Sequence, residues 1–143
     1  MKNSIVLKIV LGISGVIAMA IATMILVSPS NFYLSNHIHL HHNTNLLSEI
    51  RAPAMALFTY GFVIFSGIFL SRLTFTSTLL STLLYCSYGF GRVLGIILDG
   101  KPVDSLMNAA IIEITLGIIS LVCLVKYINV TSAKNINYIS DNP

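Results

Sequence analysis

Two charged residues lie inside long apolar stretches of this chain, where a charge is costly. Arg92 interrupts the third of four such stretches, and Glu113 interrupts the fourth. An unpaired charge in the hydrocarbon of a bilayer costs about 2.5 kcal/mol or more, so a charge found there is usually paired or functional. Arg92 lies seven positions before Asp99, and Glu113 lies nine after Asp104. These spacings put both side chains about 10–13 Å below one face of the membrane, and we predict that they pair.

A polar stripe runs along the third stretch on both sides of Arg92. Alternating three- and four-residue steps place its members on one helix face: Thr78, Ser81, Tyr85, Tyr88, Arg92, Gly95 and Asp99. In a membrane helix such a stripe faces the bundle interior or a water-filled cavity. On the second stretch, one face is formed by Glu49, Ala52, Ala56 and Tyr60. We therefore expect these faces to meet inside the bundle.

Together these positions predict a charged cluster in the outer half of the bundle. Its members are Glu49, Arg51, Arg92, Asp99 and Glu113, with Tyr85 and Tyr88 at greater depth. Charges of mixed sign can neutralise one another and fix the helix register. Alternatively, they line an outward-opening pocket for a small polar or amphipathic ligand. A third interpretation is a membrane enzyme or proton-coupled carrier that uses Glu113 as an acid, although Arg92 opposes this by favouring the carboxylate.

Four histidines crowd a short polar segment after the first apolar stretch: His37, His39, His41 and His42. Imidazole is a common ligand of zinc and copper, and a helical segment would give usable ligand spacings. The alternatives are a metal-binding accessory protein and a solvated segment whose charge follows pH. No cofactor is otherwise expected, because no histidine lies inside an apolar stretch to hold a haem.

The elements that must position these residues are membrane helices. Of the 143 residues, 55% are hydrophobic and only 9% are charged, against about 25% charged in soluble domains. Spanning about 30 Å of hydrocarbon needs ~20 apolar residues in a helix. We predict one domain, an all-α four-helix transmembrane bundle over residues 1–143. Its helices cover about 5–27, 52–70, 75–98 and 106–127, with an outer loop at 28–51 and a polar tail at 129–143.

Basic residues predict the orientation. A cytoplasmic N-terminus puts five basic residues inside, namely Lys2, Lys8, Arg72, Lys126 and Lys134, and only Arg51 and Lys101 outside. We therefore expect an inner-membrane protein with both termini in the cytoplasm. A cleaved signal peptide is the alternative for the first stretch. We favour a retained helix, because the apolar run continues to Val27.

The expected partners are the lipid bilayer and, where the charged cluster lines a pocket, one small amphipathic ligand, with the oligomeric state open. The net charge of +3 and the lack of basic clusters with aromatics argue against nucleic acid. Cys86 and Cys123 lie in apolar runs, as packing residues do. Small residues at four-residue spacing, Ser14, Ala18 and Ala22, predict close helix packing inside the bundle rather than between copies.

Two segments resemble a known family. One is Glu49-x-Arg51-Ala52, and the other is Gly91-Arg92-x-x-Gly95-x-x-x-Asp99-Gly100-x-Pro102, with Glu113 in the helix after it. Over about residues 5–127 the chain resembles domain of unknown function 4345, a bacterial family of small four-helix membrane proteins. The resemblance implies that fold and matching positions for Glu49, Arg51, Arg92, Asp99 and Glu113. It implies no activity.

Overall fold

The structure, a computed structural model, describes the backbone of residues 4–40 and 43–141 and the side chains as far as Val130. Over these residues it is all-helical, with α1 (Ile5–Val27), α2 (Pro29–Leu34), α3 (Thr44–Ser66), α4 (Thr74–Asp99) and α5 (Asp104–Asp141). The all-α prediction is confirmed. The first helix has its predicted bounds, and the third predicted helix agrees with α4 to within one residue at each end.

Three helices in the described part of the chain are long and apolar enough to cross a membrane. They are α1, α4 and the Asp104–Val130 part of α5. The remaining long helix, α3, has the same length as α1, 23 residues, but the first third of its sequence is polar. Its composition alone therefore does not identify it as a span.

The predicted outer loop, residues 28–51, is partly helical. Ser28 leaves the helical conformation at the end of α1, because the residue before a proline is disfavoured in the α region. Pro29 then begins α2, where its missing N–H costs nothing. After α2 the chain turns through His37, whose φ of 61° is left-handed.

The second long helix begins at Thr44 rather than near Ala52. The side chain of Asn43 caps it by accepting the backbone N–H groups of Asn45 and Leu46 at 2.9 and 3.3 Å. Hydropathy located only the apolar part of this helix, whereas the start of a helix depends on its cap rather than on apolar residues. The two polar turns before Ala52 are therefore helix and not loop.

The same helix ends at Ser66 rather than near Leu70, because the chain must turn there to pack against α4. A Cβ on Gly67 would lie 2.5 Å from the Ser77 side chain, so only glycine allows this approach. Ser77 Oγ donates to the Val63 carbonyl at 2.7 Å. The predicted polar tail also differs: α5 continues through it to Asp141, since no proline or glycine interrupts residues 118–141.

The long helices pack as two antiparallel pairs, α1 with α3 and α4 with α5. In the first pair, Gly15 lies against Phe65, and Ala22 packs on Leu57. This register places Val27, the end of α1, level with about Ala52 of α3. The first two turns of α3 therefore extend past the end of α1.

The two pairs meet mainly at one end. There Leu7, Leu11, Ile64, Cys123 and Tyr127, with Val10, form a buried core to which α4 adds Leu80 and Leu84. We call the half of the bundle that contains this core and the 67–73 turn the closed half. The other half, which contains Val27 and Asp99, we call the open half. Beyond Gly89, α4 has no buried residue.

Candidate functional site

Arg92 and Glu113 form an ion pair between α4 and α5. Arg92 Nε donates to Glu113 Oε2 at 3.2 Å, with side chains 34% and 12% exposed respectively. The antiparallel register brings them together, because Gly89 packs directly on Ile114 one turn away. The predicted pairing is confirmed. The pair lies in the open half, about 10 Å from the end of α4.

The ion pair leaves most of the arginine unsatisfied. A guanidinium carries five N–H donors and no acceptor, and Arg92 uses only Nε. Within the described side chains, its two Nη groups have no hydrogen-bond partner. The pair therefore holds the guanidinium in place while its terminal donors stay available.

An opening lies beside these free donors. Ser87, Tyr88, Gly91 and Arg92 line an open depression of about 500 Å³ on α4. A Cβ on Gly91 would meet no atom within 4 Å, so this side of the helix is uncovered. Electrostatic interactions link the Tyr88 hydroxyl to Glu113 and Arg92, and also to Tyr33 of α2. The opening is thus a small donor-lined site inside the length of an apolar helix.

Buried hydroxyls close the deep side of the site. Tyr85 is 4% exposed, and its hydroxyl donates to the Ser14 carbonyl of α1 at 2.5 Å. One turn further into the closed half, the hydroxyls of Ser81 and Ser120 share a hydrogen bond of 2.9 Å. The Ser14 hydroxyl is buried without a partner among the described groups. The interior placement predicted for Tyr85 is confirmed, whereas Tyr88 on the same stripe is 41% exposed.

The other three predicted charges lie apart from this pair. Glu49, Arg51 and Asp99 are all exposed, and no ion pair between described side chains joins them to Arg92 or Glu113. Glu49 and Arg51 belong to the part of α3 that extends past α1, and Asp99 is the last residue of α4. The predicted five-residue cluster therefore contracts to one ion pair with two tyrosines.

The face predicted for the second helix is also wrong. Its buried residues are Ala54, Leu57, Gly61 and Ile64. Glu49, Ala52, Ala56 and Tyr60 are exposed. The predicted residues do share one face of the helix. The small residues that allow α1 to approach closely, Ala54 and Gly61, lie on a different face. Arg51 instead lines a separate groove of about 600 Å³ with Leu26 and Met55.

The histidine prediction falls only partly on described residues. His37 and His39 are exposed, and His41 and His42 lie outside the described residues. Among the described side chains of residues 4–40 and 43–130, no group of three or more His, Cys, Asp or Glu could hold a metal ion. Zinc or copper binding by the four histidines stays a prediction. Both cysteines are free thiols.

Sequence reasoning missed Ser87, Gly91 and Tyr33 as neighbours of the site. A signal for the first two existed, since Ser87, Gly91 and Gly95 repeat small residues at four-residue spacing beside the polar stripe. Tyr33 carried no such signal. Its position depends on α2, which hydropathy does not detect, and on the hydrogen bond of 2.9 Å that joins Ser105 of α5 to Asn36.

Comparisons with known proteins add a family and no activity. No significant match was found among curated proteins or among solved structures. The family model described as Domain of unknown function (DUF4345) matches residues 6–124. This range includes all but the first residue of α1, the whole of α3 and α4, and both residues of the ion pair, and the chain therefore belongs to the DUF4345 family.

Proposed function

We propose that all four long helices cross the inner membrane, with both termini in the cytoplasm. The support for α3 is its register: residues from about Ala52 onward lie alongside α1, which is itself long and apolar enough to span. A helix packed along a span shares its depth. Lys8, Arg72 and Lys126 fall at the closed half, and the excess of basic residues favours that end as cytoplasmic.

Cysteine accessibility in intact cells tests this topology. Val103→Cys places a thiol at the open end and Ser71→Cys places one at the closed end, both at exposed positions. With Cys86 and Cys123 replaced by serine, a membrane-impermeant maleimide should label residue 103 in cells and residue 71 only after lysis. Labelling of residue 71 alone in intact cells would show that the protein has the opposite orientation in the membrane. Equal labelling of both residues in intact cells would contradict the proposal that the helices between them cross the membrane.

We further propose that the chain is not an enzyme but binds a small amphipathic ligand at Arg92. The observation that carries this is the set of unpartnered Nη donors beside an open depression, within a helix apolar enough to span. Leaving donors of a charged group unsatisfied in hydrocarbon is costly. A ligand with acceptor atoms would complete the site, and the Glu113 contact would hold the guanidinium ready for it.

Mass spectrometry of lipids and metabolites that co-purify with the protein tests this proposal. The comparison is wild type against Arg92→Ala, with Arg72→Ala as the matched control, since Arg72 is an exposed arginine at the other end of α4. We expect a species that is present in wild type and Arg72→Ala and absent from Arg92→Ala. Identical profiles for all three proteins would mean that the ion pair only holds α4 and α5 in register.

A further inference from the structure

We infer that the ligand of this site has an uncharged head group that carries carbonyl oxygens, attached to an apolar tail that lies along α4. The inference rests on the proposed binding function and names the chemical class of its ligand. A quinone ring and an acylglycerol ester share this chemistry.

The lining of the site offers hydrogen-bond donors to a ligand. Arg92 can only donate, and its Nη groups are free within the described part of the chain. Ser87 and Tyr88 add two hydroxyls for which no described group serves as a hydrogen-bond partner. None of the four lining residues has a carboxylate or amide side chain that could serve mainly as an acceptor. A head group that matches this lining must therefore supply acceptor atoms.

The charge balance of the site disfavours an anionic head group. The positive charge of Arg92 is already balanced by Glu113 at 3.2 Å, so the site is neutral before a ligand binds. Among the described side chains, no second cation forms an ion pair with Glu113. Lys101, the next basic residue along the chain, pairs instead with Asp104 at 3.4 Å. An anionic head would add an uncompensated negative charge close to a carboxylate, whereas a carbonyl head would not.

The depth of Arg92 along α4 also disfavours a phosphate. Arg92 lies about 10 Å below the end of α4, well below the level at which phospholipid phosphates reside. A phosphate would have to leave the interface to reach it, which is costly in hydrocarbon. An uncharged carbonyl head loses much less on the same transfer.

The surface next to the site suits an apolar tail. Phe90, Leu94, Ile97 and Leu98 are between 49% and 76% exposed. A Cβ on Gly95, like one on Gly91, would meet nothing within 4 Å. The two glycines therefore leave a shallow furrow between bulky apolar side chains, along which a hydrocarbon chain can lie.

Native mass spectrometry of the purified full-length protein with three short-chain probes tests the inference. The probes are decylubiquinone, dioctanoylglycerol and dioctanoyl phosphatidic acid. We expect one of the two neutral probes to bind wild type at least about tenfold more tightly than phosphatidic acid, a difference of about 1.4 kcal/mol. Which neutral probe binds distinguishes the quinone from the acylglycerol.

Two variants and a control show whether the probe occupies this site for this reason. Gly91→Leu should fill the depression without a clash and abolish binding. Ala56→Leu is the control and should bind as wild type does, because Ala56 is an exposed small residue of α3 and lies neither in the depression nor along the furrow. Glu113→Gln leaves Arg92 with an unbalanced charge, so the preference for neutral over anionic probes should fall at least about tenfold.

The outcomes separate this inference from the binding function. Phosphatidic acid binding as tightly as the neutral probes, and lost in Gly91→Leu, would overturn the uncharged head group and leave a ligand site at Arg92. Binding of no probe, or equal binding to wild type and Gly91→Leu, would also overturn the inference. The co-purification profiles of wild type and Arg92→Ala would then decide separately whether the site binds anything.

Discussion

Both halves of α4 carry polar side chains, but the two halves differ in whether those side chains form hydrogen bonds within the protein. From Thr74 to Tyr85, six hydroxyl side chains are buried and each makes a hydrogen bond: Thr74, Ser77, Thr78, Ser81, Thr82 and Tyr85. From Cys86 to Asp99 only Gly89 is buried. The hydroxyls of Ser87 and Tyr88, and the Nη groups of Arg92, have no such partner among the described residues.

The difference between the halves comes from their neighbours rather than from α4 itself. In the closed half, α1, α3 and α5 all reach α4, through the Ser14 carbonyl, the Val63 carbonyl and Ser120. In the open half, among the described residues, α5 is the one long helix that stays in close contact with α4, at Gly89 and at the ion pair. The hydrogen bonds of the closed half therefore hold the helices together, whereas the open half has hydrogen-bond donors that remain free to bind a ligand.

The largest effect should come from filling the tight helix contact at the centre of the bundle. A Cβ on Gly15 would lie 2.8 Å from the backbone nitrogen of Phe65 and 2.9 Å from the Gly61 carbonyl, so Gly15→Leu should separate α1 from α3. The cost should exceed the roughly 1–3 kcal/mol typical of overpacking, because backbone cannot yield. Size-exclusion chromatography and thermal unfolding in detergent measure it.

Gly95→Leu is the control for Gly15→Leu, since nothing covers it. It should unfold at the wild-type temperature or slightly above, because leucine favours helix over glycine by about 0.5–1 kcal/mol. Equal destabilisation by both substitutions would contradict the contrast between a packed and an uncovered side of the bundle.

Breaking the ion pair should have an intermediate effect. Arg92→Leu leaves Glu113 unpaired at 12% exposure, and we expect a loss of about 1–3 kcal/mol, below the 3–5 kcal/mol of fully buried pairs because Arg92 is one-third exposed. Glu113→Leu should lower the free energy of unfolding by less, because the Arg92 side chain that it leaves unpaired is more exposed than that of Glu113. The double variant should recover most of the loss, since apolar residues can replace a pair. Strictly additive effects in this cycle would show that the two side chains do not interact.

Features that depend on distance along a helix could be predicted from the sequence. Residue counting from Asp99 and Asp104 put Arg92 and Glu113 at one depth, and they pair. The three- and four-residue steps correctly grouped Thr78, Ser81 and Tyr85 on a buried face. These successes depend only on regular helix geometry and on the cost of burying polar groups.

The sequence did not predict how far the neighbouring helices cover a face. Tyr88 and Asp99 lie on the same stripe as Tyr85, yet both are exposed, because a periodic pattern gives a direction and not the distance to the next helix. The early start of α3 at Thr44 was missed for a related reason. Hydropathy identifies only the residues that are apolar enough for hydrocarbon. The start of α3 depends instead on the Asn43 cap, which extends the helix into polar residues.

The smallest effect distinguishes the halves most directly, because it uses one substitution at two places on one helix. Ser81→Ala removes one partner of the buried 2.9 Å hydrogen bond to Ser120. Hydrogen bonds between membrane helices average about 0.6 kcal/mol and reach about 1.7. Ser87→Ala removes an exposed hydroxyl that bonds to no described group, so it should not change the free energy of unfolding of the ligand-free protein.

Unfolding titrations with SDS can resolve this pair of substitutions. Ser120→Ala should match Ser81→Ala, and the double variant should cost less than the sum, because either single change already breaks the shared bond. Ser87→Ala should instead weaken binding of the neutral probe. If Ser87→Ala destabilised the ligand-free protein as much as Ser81→Ala does, the hydroxyls of the open half would also hold the bundle together and would not be available to a ligand.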